Sequence, residues 1–144
     1  MAEHQGHCLC GAVTVNATNL ARTISACHCE MCRRWSGSIQ MGIEAKEGEA
    51  TVSGPVKVYR SSDFAERAWC DKCGSAVWFR NFAGKDVGYY EFVPGLFENA
   101  ADAKLVRVVY ADCCPDGYAL AGDYERVSKA DYEAEFDFVP EESA

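Results

Sequence analysis

Trp69-Cys70-Asp71-Lys72-Cys73-Gly74 sets two cysteines three positions apart with a glycine directly after them. A tight turn that presents two thiolates to one zinc at ~2.3 Å commonly uses this Cys-x-x-Cys spacing, and glycine tolerates the left-handed backbone of such a knuckle. Residues 65–69 and 75–80 flank the motif, and both are predicted strands. A thiol knuckle between two strands points to a mainly-β fold, with small antiparallel sheets pinned by zinc knuckles.

Working outward, the same alternation predicts strands over 11–16, 38–44, 87–92 and 105–110. Residues 50–52 and 56–60 around the Ser53-Gly54-Pro55 turn read as a hairpin with one face buried. One short C-terminal helix is expected to open at Ser128, with Asp131 placed as in a capping box, and to run past Tyr132 and Phe136 until Pro140 stops it. Residues 141–144 read as a frayed acidic tail. No repeat, linker or low-complexity block divides the sequence, so one domain over 1–144 is expected, with a motif core of about 5–110.

The 144 residues are 49% hydrophobic and 25% charged, a mix that can bury enough surface to offset chain entropy and excludes disorder for most of the chain. A formal charge of −8 repels phosphate backbones, which argues against nucleic-acid and anionic-membrane partners. No apolar run approaches the roughly 18 residues of a membrane span. Met1-Ala2-Glu3-His4-Gln5-Gly6 lacks a basic region followed by an apolar stretch, so a soluble, unexported, cytoplasmic protein is expected. There its nine cysteines stay reduced, and metal ligation outranks disulfides.

Seven of those cysteines fall into three clusters: Cys8-Leu9-Cys10-Gly11, Cys27-His28-Cys29-Glu30-Met31-Cys32, and the Cys70/Cys73 knuckle. A structural zinc takes four ligands, and Cys8 and Cys10 complement Cys70 and Cys73, pinning segments about 60 residues apart. The alternative is a set of buried free thiols. Cys27, Cys29 and Cys32 give three thiolates without a fourth at comparable spacing, as in a catalytic zinc site with an open position. Cys113 or Cys114 could close it; otherwise they pack in the core or stand exposed. His28, held between two ligands, is expected to hydrogen-bond nearby instead of ligating. An open three-thiolate zinc suits a soft sulfur donor, hence a small thiol substrate. Arg33 and Arg34 directly follow and could pair with its carboxylates, or be solvated surface arginines; Trp35 either walls the site or packs in the core.

Together, residues 6–11, 26–37 and 69–74 resemble the glutathione-dependent formaldehyde-activating enzyme family, which includes centromere-protein-V-like members, in the order and spacing of all three motifs. The resemblance implies two zinc ions per chain, a structural one on Cys8, Cys10, Cys70 and Cys73 and a catalytic one on Cys27, Cys29 and Cys32. It also implies a carbon–sulfur lyase activity that joins formaldehyde and glutathione as S-hydroxymethylglutathione, or cleaves that adduct. The alternatives are a lyase acting on another thiol adduct, a zinc-stabilised binding or scaffold module, and a redox role for Cys70 and Cys73. Neither His28 nor Glu30 is assigned as general base.

Overall fold

A computed structural model describes residues 3–135. Its strands are β1 (His4–His7), β2 (Thr14–Ala17), β3 (Thr23–Cys27), β4 (Gln40–Lys46), β5 (Ala50–Ser53), β6 (Val56–Arg60), β7 (Ala65–Cys70), β8 (Ala76–Asn81), β9 (Tyr89–Phe92), β10 (Lys104–Val109) and β11 (Glu125–Val127). The helices are α1 (Glu30–Ser36) and α2 (Lys129–Glu133), with short 3-10 segments between strands, the one at Glu98–Asp102 having left-handed backbone at residues 99–102. The mainly-β expectation holds. Among the described residues no helix is long and apolar enough to cross a membrane.

Two sheets form: a three-stranded one in the order β1-β2-β5 and an eight-stranded one in the order β11-β10-β3-β4-β9-β8-β7-β6. Cross-strand partners share a face, and neighbouring positions along a strand face opposite ways. One row of partners runs Ile43, Phe92, Trp78, Ala68 across β4, β9, β8 and β7. All four are buried, in one core with Val13, Val15, Ala17 and Leu20 from the β2 region. Burying a side chain such as Phe92 contributes about 1.5–3 kcal/mol. The next row, Glu44, Glu91, Phe79, Arg67, lies on the opposite face.

Two pairings extend the sequence reading. β10 runs parallel to both β3 and β11, joining segments distant in sequence, and a period of two carries no information about strand direction. α1 was not anticipated, although Cys29 caps its N-terminus, Arg33 and Arg34 fill its last turn, and Gly37 ends it in the left-handed region.

The expected 50–60 hairpin does not form, because β5 pairs with β2 and β6 with β7. Ser53-Gly54-Pro55 is instead the crossing from one sheet to the other, where the Pro55 carbonyl accepts the Asp71 amide at 2.8 Å. As the outer strand β6 leaves Val58 and Tyr59 exposed, and neither of its faces is covered throughout. The C-terminal helix forms as expected at Ser128, whose hydroxyl accepts the Asp131 amide at 3.1 Å. Its expected extension to Phe136 and Pro140, and the tail over 141–144, lie outside the described residues.

Gly54 carries the crossing at φ +109°, and a Cβ there would run into the Ala12 carbonyl. Gly54→Ala should therefore cost at least about 1–3 kcal/mol, read from the urea midpoint. Gly48→Ala is the control, since nothing lies within 4 Å of its added Cβ.

Candidate metal centres and reaction cavity

The first thiol set is built from two turns, one from each sheet. Cys8 and Cys10 sit in the turn between β1 and β2, while Cys70 ends β7 and Cys73 lies in the turn that leads to β8. Gly11 (φ 82°) and Gly74 (φ 80°) close the turns by donating to the Cys8 and Cys70 carbonyls at 3.1 and 2.8 Å. The Leu9 amide donates to Ser75 Oγ at 3.0 Å, tying one turn to the other. The four sulfurs lie within 4.8 Å of one another, with Cys8 to Cys10 at 3.7 Å and Cys10 to Cys70 at 3.9 Å. A tetrahedral ion bound by thiolates at ~2.3 Å spaces its sulfurs about 3.8 Å apart. The Ser75 hydroxyl, the Ser75 amide and the Cys10 amide bring the Cys73 thiol down to about 5.

Cys27, Cys29 and Cys32 form the second set, also within 4.8 Å of one another. Cys27 ends β3, Cys29 caps α1 and Cys32 lies in its first turn. Backbone amides aim at the sulfurs: Cys29 N donates to Cys27 Sγ at 3.4 Å and Cys32 N to Cys29 Sγ at 3.3 Å. Hydrogen bonds from the Cys27 and Cys32 thiols bring Cys29 down to about 3 despite its burial, helped by the Cys32 amide and the Arg67 charge. The Cys27 thiol moves well above its usual value, because it gives hydrogen bonds to Cys29 and Cys32 and is buried. Three sulfurs thus share one negative charge, and a cation bound among them would replace the remaining protons. Both sets could hold a metal ion.

The second set opens onto a cavity of about 220 Å³. Its floor is the polar face of the large sheet: Val109 and Arg107 from β10, Ser25 and Cys27 from β3, Gln40, Gly42 and Glu44 from β4, then Glu91, Phe79 and Arg67. Ser61, Ser62 and Phe64 from the β6–β7 loop, Lys85, Asp86 and Tyr132 of α2 complete the wall. Tyr110 ends β10 in the left-handed region (φ 52°) and donates to Glu133 at 2.8 Å, joining the wall to α2. Arg67 is 2% exposed: its Nη2 approaches Cys32 Sγ at 3.7 Å, its guanidinium covers the Phe79 ring at 4.8 Å, and its Nη1 has no partner among the described residues. Burial, the Glu44 and Asp86 charges and, in opposition, Arg67 set the Glu91 carboxyl, which is pushed up to about 8.

Arg33 and Arg34 do not line this cavity. Arg33 Nε donates to the His28 carbonyl at 3.0 Å, and Arg34 pairs with Glu30 at 3.6 Å. The His28 ring is buried outside the thiol set; its Nδ1 has no partner among the described residues, so the hydrogen bond expected of the ring is not made there at that atom. Cys113 packs against Val109, Tyr110 and Val127 near Cys27 and Cys29 without joining their sulfurs, and Cys114 Sγ lies 3.3 Å from the Tyr118 carbonyl. Trp35 walls a different groove, stacked on Tyr59 at 6.0 Å and edge-on to Trp69 at 5.7 Å. Arg67 and Glu91 are the site residues that sequence reasoning missed. For Glu91 the signal was a charged residue between two aromatics inside a strand; Arg67, beside Glu66, gave no such signal.

A mainly-β frame with a four-thiol set across two sheets and a three-thiol set at a charged cavity defines a class of protein equipped for two thiolate-bound metals. The chain belongs to the glutathione-dependent formaldehyde-activating enzyme family, whose model matches residues 3–112. It is 34% identical to an uncharacterized lyase of Schizosaccharomyces pombe over 122 residues, covering 84% of this chain and 88% of that protein. It also resembles the crystal structure of a Rhodobacter sphaeroides protein, with a TM-score of 0.53 and 20% identity over 71% of this chain and 99% of the other, a likeness of fold.

A carboxyl held at about 8 makes stability pH-dependent. Its folded value exceeds the unfolded one, so Glu91 stabilises fully only below the ordinary carboxylate range, and that contribution is lost as pH rises through about 8. Glu91→Gln should raise the melting temperature relative to the native chain more at pH 8.5 than at pH 5. An equal shift at both would show that the Glu91 carboxyl titrates normally.

Proposed function

We propose that this protein is a zinc-dependent carbon–sulfur lyase that makes and breaks the adduct of a small thiol with an aldehyde, glutathione and formaldehyde being the pair the family name points to. One observation carries the reading: three thiols without a fourth open onto a cavity that holds a buried guanidinium with an unused donor. The family match and the lyase-named relative support it. Cys8, Cys10, Cys70 and Cys73 hold a structural zinc, and Cys27, Cys29 and Cys32 the reactive one. What zinc supplies when bound by three thiolates is a site of formal charge −1, a weak Lewis acid but an adequate place for a substrate thiolate at neutral pH.

The chain's own residues do the rest. At about 220 Å³ the cavity falls below the roughly 300–1,000 Å³ of sites that enclose a drug-sized ligand. It therefore takes the reacting end of the adduct, while a tripeptide body lies outside. Arg33 and Arg34, just past Cys32 and outside the cavity, are the proposed contacts for that body's carboxylates. The aromatic wall of Phe64, Phe79 and Tyr132 limits water around the reacting carbon. A reducing cytoplasm suits the unpaired thiols and a glutathione-linked substrate.

The two metals should differ in lability, since four thiolates clasped between two sheets release an ion more slowly than three at an open cavity. Native mass spectrometry during chelator titration should show two zinc ions per chain, one lost first. A single zinc at full loading would defeat the two-site reading.

The activity is tested at equilibrium, because formaldehyde and glutathione also combine unaided. Magnetisation transfer in NMR should show faster exchange between free formaldehyde and the S-hydroxymethyl adduct with the native protein. The gain should vanish in a Cys27→Ala/Cys29→Ala variant that keeps the clasp metal. Equal exchange with both proteins overturns the formaldehyde reading.

A further inference from the structure

Arg67 and Glu91 lie in one row on the cavity face of the sheet, with Phe79 of β8 between them. A guanidinium removed from water with an unused donor is costly unless a ligand accepts from it. Arg67 Nη2 already approaches Cys32 Sγ, so Nη1 is the donor left for a group beside the thiols. Glu91 sits over Gly42, where an added Cβ would come within 3.0 Å of its Cβ and 3.2 Å of its Oε1. The missing side chain on β4 is what makes room for this carboxyl. The charged and titratable groups around it are Glu44 from β4, Lys85 and Asp86 from the segment before β9, Arg67 from β7 and Tyr132 from α2, with Arg107 of β10 beside Tyr132.

We propose that Arg67 and Glu91 form the oxygen end of the reaction site: Arg67 Nη1 binds the adduct's oxygen as it gains negative charge, and the Glu91 carboxyl carries that oxygen's proton. The inference rests on the aldehyde–thiol reading above. In adduct formation the thiolate's electron pair makes the C–S bond, the C=O π pair moves onto oxygen beside Arg67, and Glu91 gives that oxygen its proton. The resulting carboxylate regains a proton from the thiol that ionised, so the sum is thiol plus aldehyde giving the hydroxymethyl thioether. Cleavage runs the same path backwards: Glu91 carboxylate takes the hydroxyl proton, C=O re-forms, and the C–S pair returns to sulfur. Preorganised donors at the point where charge develops are the strongest device available to such a site. Burial favours the protonated form of the Glu91 carboxyl, which can then donate.

Formate, a one-carbon anion close to the aldehyde in size, tests the pair without turnover, by titrating carbon-13 formate against zinc-loaded protein in NMR. The native chain should bind formate at pH 7, and the affinity should fall above pH 8 with a limiting slope of roughly tenfold per pH unit as Glu91 ionises. Glu91→Gln should bind formate with little change between pH 7 and 9.5. Arg67→Met should weaken binding at least tenfold. Arg67→Lys, which keeps the charge but loses the forked donor, should fall between, with melting curves and zinc content recording whether each variant folds. Unchanged affinity in Arg67→Met, or a pH dependence that survives Glu91→Gln, overturns the proposal. A protein that binds formate as expected yet does not exchange formaldehyde with glutathione overturns the substrate reading and upholds the oxyanion pair.

Discussion

The clasp of the Cys8–Cys10 turn against the Cys70–Cys73 turn is the constraint on which the other features depend. It joins the two sheets at the ends of β1 and β7, between cysteines 60 residues apart. The apolar face of the small sheet alone could slide over the large one, since hydrophobic contact has no direction. The Leu9 amide on Ser75 restricts that freedom, and an ion held by the four sulfurs, whose mutual separations suit one, would remove it. Arg67 precedes Cys70 by three residues on the same strand, so the clasp also sets where the guanidinium meets the second thiol set.

From there the large sheet works as a two-sided plate. Ile43, Phe92, Trp78 and Ala68 supply the core that holds the plate together. One position along, Glu44, Glu91, Phe79 and Arg67 give a row in which two members are destabilising as placed, a carboxyl forced towards neutrality and a cation short of a partner. Violations of the burial rules concentrated at one cavity, beside reactive thiols, are typical of a site that gives up stability for function.

The sequence makes the cysteine turns legible because their information is local: two thiols, a fixed spacing and a glycine. Most strands were legible too, because alternation needs only a few residues; 56–60 matches β6 to the residue. Partnership was not. The Ser53-Gly54-Pro55 signal is the same for a hairpin and for a crossing between sheets, and nothing in 104–109 announces a parallel neighbour at 23–27. α1 escaped because seven residues are too few for a helical stripe to stand out, although the residues at its ends were informative. Arg67 and Glu91 escaped because alternation marks a polar face without saying whether water or protein covers it, and here the cover comes from Tyr132 and the 61–64 loop.

The parallel pairing of β3 with β10 fixes an order of assembly. Cys27, Cys29 and Cys32 are complete within six residues, and the clasp closes once residue 73 exists, whereas the cavity wall waits for Arg107, Tyr110 and α2. Contacts of high sequence separation form late because loop closure opposes them. On a chain made from its N-terminus, the three thiols stand open before their enclosure is built. On the two-zinc reading, ion capture at that moment would shield them from oxidation, and metal supply would then be coupled to synthesis of the chain.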